Sequence, residues 1–220
     1  MHSGQENRIV AYIDGFNLYF GLKEKGWRKY YWLNLNLLVQ NLLKPGQQLI
    51  QTKYFTARIS LGDKDAPHWL REKMEAKRRR QAIFLEALKT LPNFRIYEGH
   101  YLGKPIKCVN CNTIWTTHEE KMTDVCIATE LIIDAYDDRY DSALIISGDS
   151  DLVPPIQAVR CKFPLKRVVV AFPPERVSKR LRQVASAHFV IGRANISKSL
   201  FPDDVRRLDG HILKRPAEWK

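Results

Sequence analysis

Short apolar runs that alternate with segments of helical period constrain this chain more than any other feature. "RIVAYID" (8–14), "QLIQTKYFTARIS" (48–60), "NFRIYEGHYL" (93–102), "DSALIIS" (141–147), "KRVVVAF" (166–172) and "HFVI" (188–191) read as strands. Between them lie helical segments at 15–26, 33–43, 65–91, 119–138, 150–162 and 174–185. In 15–26 the apolar spacing runs through Leu18, Tyr19 and Leu22, with Gly26 as the stop; Pro45-Gly46 ends the segment 33–43. In 119–138 the apolar positions Val125, Ala128, Leu131, Ile132 and Ala135 recur at helical spacing. Strands alternating with helices predict an α/β protein. Its central sheet is mostly parallel, with helices on both faces, a three-layer Rossmann-like arrangement.

The 220 residues suit one domain with additions. We expect it to span 1–192, with a compact Cys-containing hairpin inserted at 103–118 and turning at Asn110. From Arg193 periodicity fades and charge rises, so 193–220 is expected to be a basic peripheral extension. No apolar stretch reaches the roughly 20 residues of a membrane span, and the N-terminus lacks a signal-peptide pattern. No membrane partner and a cytoplasmic location are therefore expected.

The charge balance raises the functional question. Lys and Arg number 36 against 24 Asp and Glu, a net charge of +12, which favours polyanionic partners through counterion release. Yet carboxylates gather where ligands bind in α/β sheets, at the carboxyl ends of strands. Asp14 ends the first strand, and Asn17 sits on the first turn of the helix that follows. Asp149 and Asp151 follow the strand 141–147 in "SGDSDLVP" (147–154), and Asp124 lies early in the helix 119–138. Clustered carboxylates repel one another unless a cation stands among them. Mg2+ or Mn2+, with hard oxygen ligands and retained waters, meets that need and activates water against a phosphodiester. Helix capping by Asp149 or Ser150 is the competing reading.

Together "YIDGFNLY", "EEKMTDV" and "LIISGDSDLVPPI" resemble the NYN domain family, PIN-like nucleases related to the LabA/DUF88 group, along roughly residues 8–190. The resemblance implies a PIN-like fold and metal-dependent cleavage of RNA, with single-stranded RNA the expected partner. It implies Asp14, Asp124 and Asp149 as the metal shell, and Asp151 as an outer ligand or water-orienting base. Asn17 and Ser147 would position ligands or phosphate, with Lys121 and Thr123 beside Asp124. Arg78, Arg79 and Arg180 are candidates for phosphate contact. Tyr19, Phe20, Trp27, Tyr30, Tyr31 and Trp32 either stack on bases or pack in the core.

Cys108 and Cys111 form one C-x-x-C, half of the usual four-ligand zinc set. His100, His118, Cys126 or a second copy in a homodimer would complete it; otherwise the pair is a reduced turn packed by Trp115. Cys126 and Cys161 read as core residues. Two other functions compete: a non-catalytic RNA-binding or scaffold module on the same fold, and a haloacid-dehalogenase-like phosphatase with Asp149 as nucleophile and Asp151 as acid.

Overall fold

A computed structural model describes residues 6–59, 67–107 and 109–220; the side chains of 101–105 and 114–121 lie outside the description. Along the chain run β1 (Asn7–Asp14), α1 (Gly15–Glu24), α2 (Leu35–Leu42), β2 (Gln47–Ala57) and α3 (His68–Leu88). Then come β3 (Phe94–Lys107), β4 (Ile114–Lys121), α4 (Thr123–Tyr136), β5 (Ser142–Ile146), α5 (Val153–Lys162) and β6 (Arg167–Phe172). The remainder is α6 (Lys179–Val184), β7 (Ala187–Val190), α7 (Arg193–Ser197), β8 (Asp204–Arg206) and β9 (Ile212–Lys214).

The main sheet has the order β4-β3-β2-β1-β5-β6-β7, parallel throughout except for β4. It is the predicted α/β sheet, with a core on each face. Ile9, Ala11 and Ile13 of β1 pack with Leu18 and Leu22 of α1, Leu35 and Leu38 of α2, and Leu85 and Leu88 of α3. Val10 and Tyr12, pointing the other way by strand alternation, pack with Ile127 and Leu131 of α4, Ile156 of α5 and Leu181 of α6. These two cores make the three layers.

Four expectations need correction. The hairpin is longer than 103–118: pairing runs from His100–Lys121 to Lys107–Ile114, so 119–121 are strand and α4 starts at Thr123. β3 simply continues past β2, and the hairpin forms the sheet's edge rather than a separate insertion. The C-terminal residues are not peripheral either. Ile196, Phe201, Val205, Leu213 and Trp219 join the first core, and Trp32 Nε1 donates to the Pro202 carbonyl at 2.8 Å. Short elements with irregular spacing hide that packing from a periodicity argument. Cys161 is exposed and Cys126 half-buried. Finally, α4 turns Val125 and Ile132 outward, and Asp134 inward at 0% exposure.

Asp134 has a reason to be there. Lys53, in the middle of β2, is also 0% exposed, and its Nζ reaches Asp134 Oδ2 at 2.5 Å and Glu130 Oε2 at 2.7 Å. The Tyr12 hydroxyl donates to Asp134 Oδ2 at 2.5 Å and the Tyr97 hydroxyl to Glu130 Oε2 at 2.7 Å. Hydrogen bonds from Lys53 and Tyr97 hold Glu130 below the ordinary carboxylate range although burial opposes them. A buried charge without its partner is costly, so the network clamps α4 to the sheet. Lys53→Met is expected to destabilise the protein by about 3–5 kcal/mol, with much of the loss recovered in Lys53→Met/Asp134→Leu. Urea denaturation of the cycle measures both.

Candidate functional site

Among the parallel strands the order is the doubly wound one, and β1 and β5 lie at its centre. The chain leaves β1 for α1 on one face and leaves β5 for α5 on the other. A crevice opens where the two connections diverge, at the carboxyl ends of those strands. Ile13 pairs with Ile146, so Asp14 and Ser147 emerge side by side.

Asp14 is 2% exposed and caps α1: its Oδ1 accepts from the Asn17 backbone N–H at 2.9 Å. Its Oδ2 accepts from Asn17 Nδ2 at 2.6 Å and from Ser147 Oγ at 2.9 Å. Asn17 Oδ1 accepts from the Gly148 N–H at 3.2 Å, and Ser147 Oγ accepts from the Asp149 N–H at 3.0 Å. Asp149 in turn caps the 3-10 turn Ser150–Leu152, its Oδ1 accepting from the Asp151 N–H at 2.9 Å. Capping and site-building are thus one arrangement, and Asp149 rather than Ser150 is the cap. Asp151 is exposed beside it.

Two glycines permit the crevice to close this tightly. A Cβ on Gly148 would stand 2.1 Å from the Arg176 carbonyl oxygen, and one on Gly15 would stand 2.6 Å from the Tyr54 hydroxyl. Burial, with a contribution from the charge of Asp149, raises the Asp14 carboxyl above its ordinary 3.8, although hydrogen bonds from Asn17 and Ser147 oppose the rise. The sign follows: protonated Asp14 favours the fold, and that contribution disappears as pH rises through the folded value. At neutral pH the buried carboxylate is a cost that a nearby cation offsets.

Thr123 and Asp124 open α4, which starts from the same sheet edge, since β4 ends opposite His100, one residue beyond the last β2–β3 pair. Met122, at φ 80°, makes the sharp turn into the helix; Thr123 is buried and Asp124 half-buried. Among the described residues no three His, Cys, Asp or Glu side chains form a metal-holding group. The pair Asp14 and Asp149 is linked through Ser147, and Asp124 stands in the first turn of α4. That pair fits Mg2+ or Mn2+, whose sites commonly use one or two carboxylates and several waters.

The other candidates are dispersed. Arg78 and Arg79 are exposed on α3, with Arg79 3.8 Å from Glu75, whereas Arg180 is exposed on α6 in the opposite layer. Tyr30 and Trp32 are core residues; Tyr19 and Phe20 are 40% and 38% exposed. Cys111 is exposed at the hairpin turn, its Sγ 3.2 Å from Thr113 Oγ1. Cys108 and the side chains of Lys121, Trp115 and His118 lie outside the described residues. Sequence reasoning missed Lys53, Asp134 and Glu130. Asp134 at an inward helical position, four residues after Glu130, was the available signal.

The NYN domain family matches residues 8–195, and the chain belongs to that family. NYN domains are generally nuclease-like, which sets the chain among hydrolases at that coarse level. It is 28% identical over 194 residues to 6-hydroxy-3-succinoylpyridine 3-monooxygenase HspA of Pseudomonas putida, a match covering 74% of this chain. The match spans 59% of that relative's length. The fold resembles the crystal structure of a protein of unknown function, VPA0982, from Vibrio parahaemolyticus. The TM-score is 0.52 at 16% identity, covering 91% of this chain and all of the other. Among the described residues no helix is long and apolar enough to cross a membrane. Gly148→Ala is expected to cost about 1–3 kcal/mol, because the Arg176 backbone must move; thermal denaturation reads the loss.

Proposed function

We propose that the protein is a metal-dependent ribonuclease that hydrolyses phosphodiester bonds of single-stranded RNA. The observation that carries this reading is the hydrogen-bonded chain Asn17–Asp14–Ser147–Asp149 at the sheet's switch point. It brings the Asp14 carboxylate beside the backbone of Asp149, whose charge acts on it, in a chain that is otherwise strongly basic. A bound Mg2+ or Mn2+ ion supplies Lewis-acid polarisation of a phosphoryl oxygen and a water of lowered pKa.

The chain's own groups have separable tasks. Asp14 and Asp149 would hold the cation, with Asp124 in the first turn of α4 as a further carboxylate. Asn17 fixes Asp14 by donating to its Oδ2, and Ser147 joins the two carboxylates by donating to one and accepting from the backbone of the other. Asp151, exposed at the mouth, accepts a proton from the attacking water. A purely RNA-binding module gains nothing from carboxylates facing phosphate, which is why catalysis is preferred. The monooxygenase relative is only partly spanned, and its named activity is not carried over.

Labelled single-stranded RNA should be cleaved in Mn2+ and left intact in chelator, and Asp149→Asn should lose at least about 100-fold in rate. Saturating Mn2+ should raise the stability of the wild type by about 2–3 kcal/mol and that of Asp149→Asn far less. Cleavage that persists in chelator or in the variant overturns the reading.

A further inference from the structure

Several cations elsewhere on this protein are paired. Arg8 meets Asp138 and Asp141, Arg80 meets Glu218, Arg58 meets Glu98, Lys25 meets Glu175, and Arg176 meets Glu24. Three lysines on the layer of α1 and α3 differ. Lys23, Lys73 and Lys77 have no ion pair with a carboxylate among the described residues, yet they lie close enough to act on one another. Partial burial, then the charges of Lys73, Lys23 and Arg80, push Lys77 below the ordinary lysine value. Holding like charges together without a counter-charge costs free energy that an anionic ligand returns.

Exposed aromatic rings flank these lysines. Phe20 lies between Lys23 Nζ at 5.4 Å and the Arg176 guanidinium at 5.7 Å, measured to the ring centre. Trp69 is 63% exposed, with Lys73 Nζ 6.0 Å from its ring. The order in space follows helix geometry. Asn17, Phe20 and Lys23 step along one side of α1 at intervals of three. Trp69, Lys73 and Lys77 step along one side of α3 at intervals of four. α1 and α3 pack on the same face of the sheet, so the two rows share one layer.

We propose that Phe20, Lys23, Lys77, Lys73 and Trp69 form a track that carries single-stranded RNA away from the Asp14–Asp149 site. This deepens the ribonuclease reading and rests on it. At 1.5 Å per residue the row on α1 runs about 9 Å and the row on α3 about 12 Å, each long enough for a phosphate and a stacked base of a single strand. Phosphates lie on the lysines, and bases stack on the two rings. A duplex, whose bases are already stacked on one another, gains nothing from Phe20 or Trp69, so single strands are selected.

The test is fluorescence anisotropy with a labelled oligouridylate in chelator, where no cleavage occurs. Lys73→Gln/Lys77→Gln should weaken binding about tenfold and lower the salt slope by about 1.4, from roughly 0.7 per lost contact. Trp69→Ala should weaken binding about tenfold with the salt slope unchanged, because stacking releases no counterions. The charge-matched Lys162→Gln/Arg167→Gln, at the end of α5 and the start of β6, should leave binding as it is. Equal losses in that control, unchanged binding in the track variants, or equal affinity for a duplex of the same length each overturn the track. Failure of the two ideas is separable. Track-dependent binding with a chain that never cleaves in Mn2+ removes the nuclease reading, whereas Mn2+-dependent cleavage with track-independent binding removes the track.

Discussion

β1 and β5 lie side by side, and the backbone leaves them in opposite directions. Everything at the candidate site follows from that divergence. It brings the ends of two buried strands to one crevice, so Asp14 and Ser147 meet without any loop reaching across. It leaves room for Asn17 on one side and for Asp149 on the other. Each then settles by the ordinary hydrogen bonds of a helix start, so local chain geometry orients the functional groups in advance.

The crevice is supported from below by an electrostatic clamp. Lys53 sits on the strand next to Tyr12, two residues before Asp14, and binds α4 through Glu130 and Asp134. Because the same helix begins with Thr123 and Asp124, the clamp sets how far α4 can shift relative to the sheet edge. A hydrophobic contact would hold the helix as well but would specify its register less sharply. The sheet's polar interior and its polar rim are therefore linked through one helix.

Much of this was legible in the sequence. Parallel strands buried on both faces read as largely apolar runs, as β1, β5 and β6 do; Asp14 and Asp149 stand out as the acids that follow two such runs. Less legible were features decided by tertiary contact. Lys53 looks like a surface residue in a strand, because only the fold places Asp134 opposite it. Trp69 looks like a core residue on α3, because helical spacing cannot tell which half of a long helix the sheet covers. The last residues look peripheral, because short elements carry no period, yet Trp219 packs beside Trp32 with ring centres 6.2 Å apart.

Asp14 and Ser147 touch across 133 positions of sequence. The junction of the two halves of the crevice depends on that long-range pairing, and closing so large a loop is entropically costly. During synthesis Asp14 emerges long before its partner, and only its local bond to Asn17 can form. A half-made chain therefore holds a helix cap where the finished one holds a pair of carboxylates, and any cation-dependent chemistry waits for the sheet to be complete.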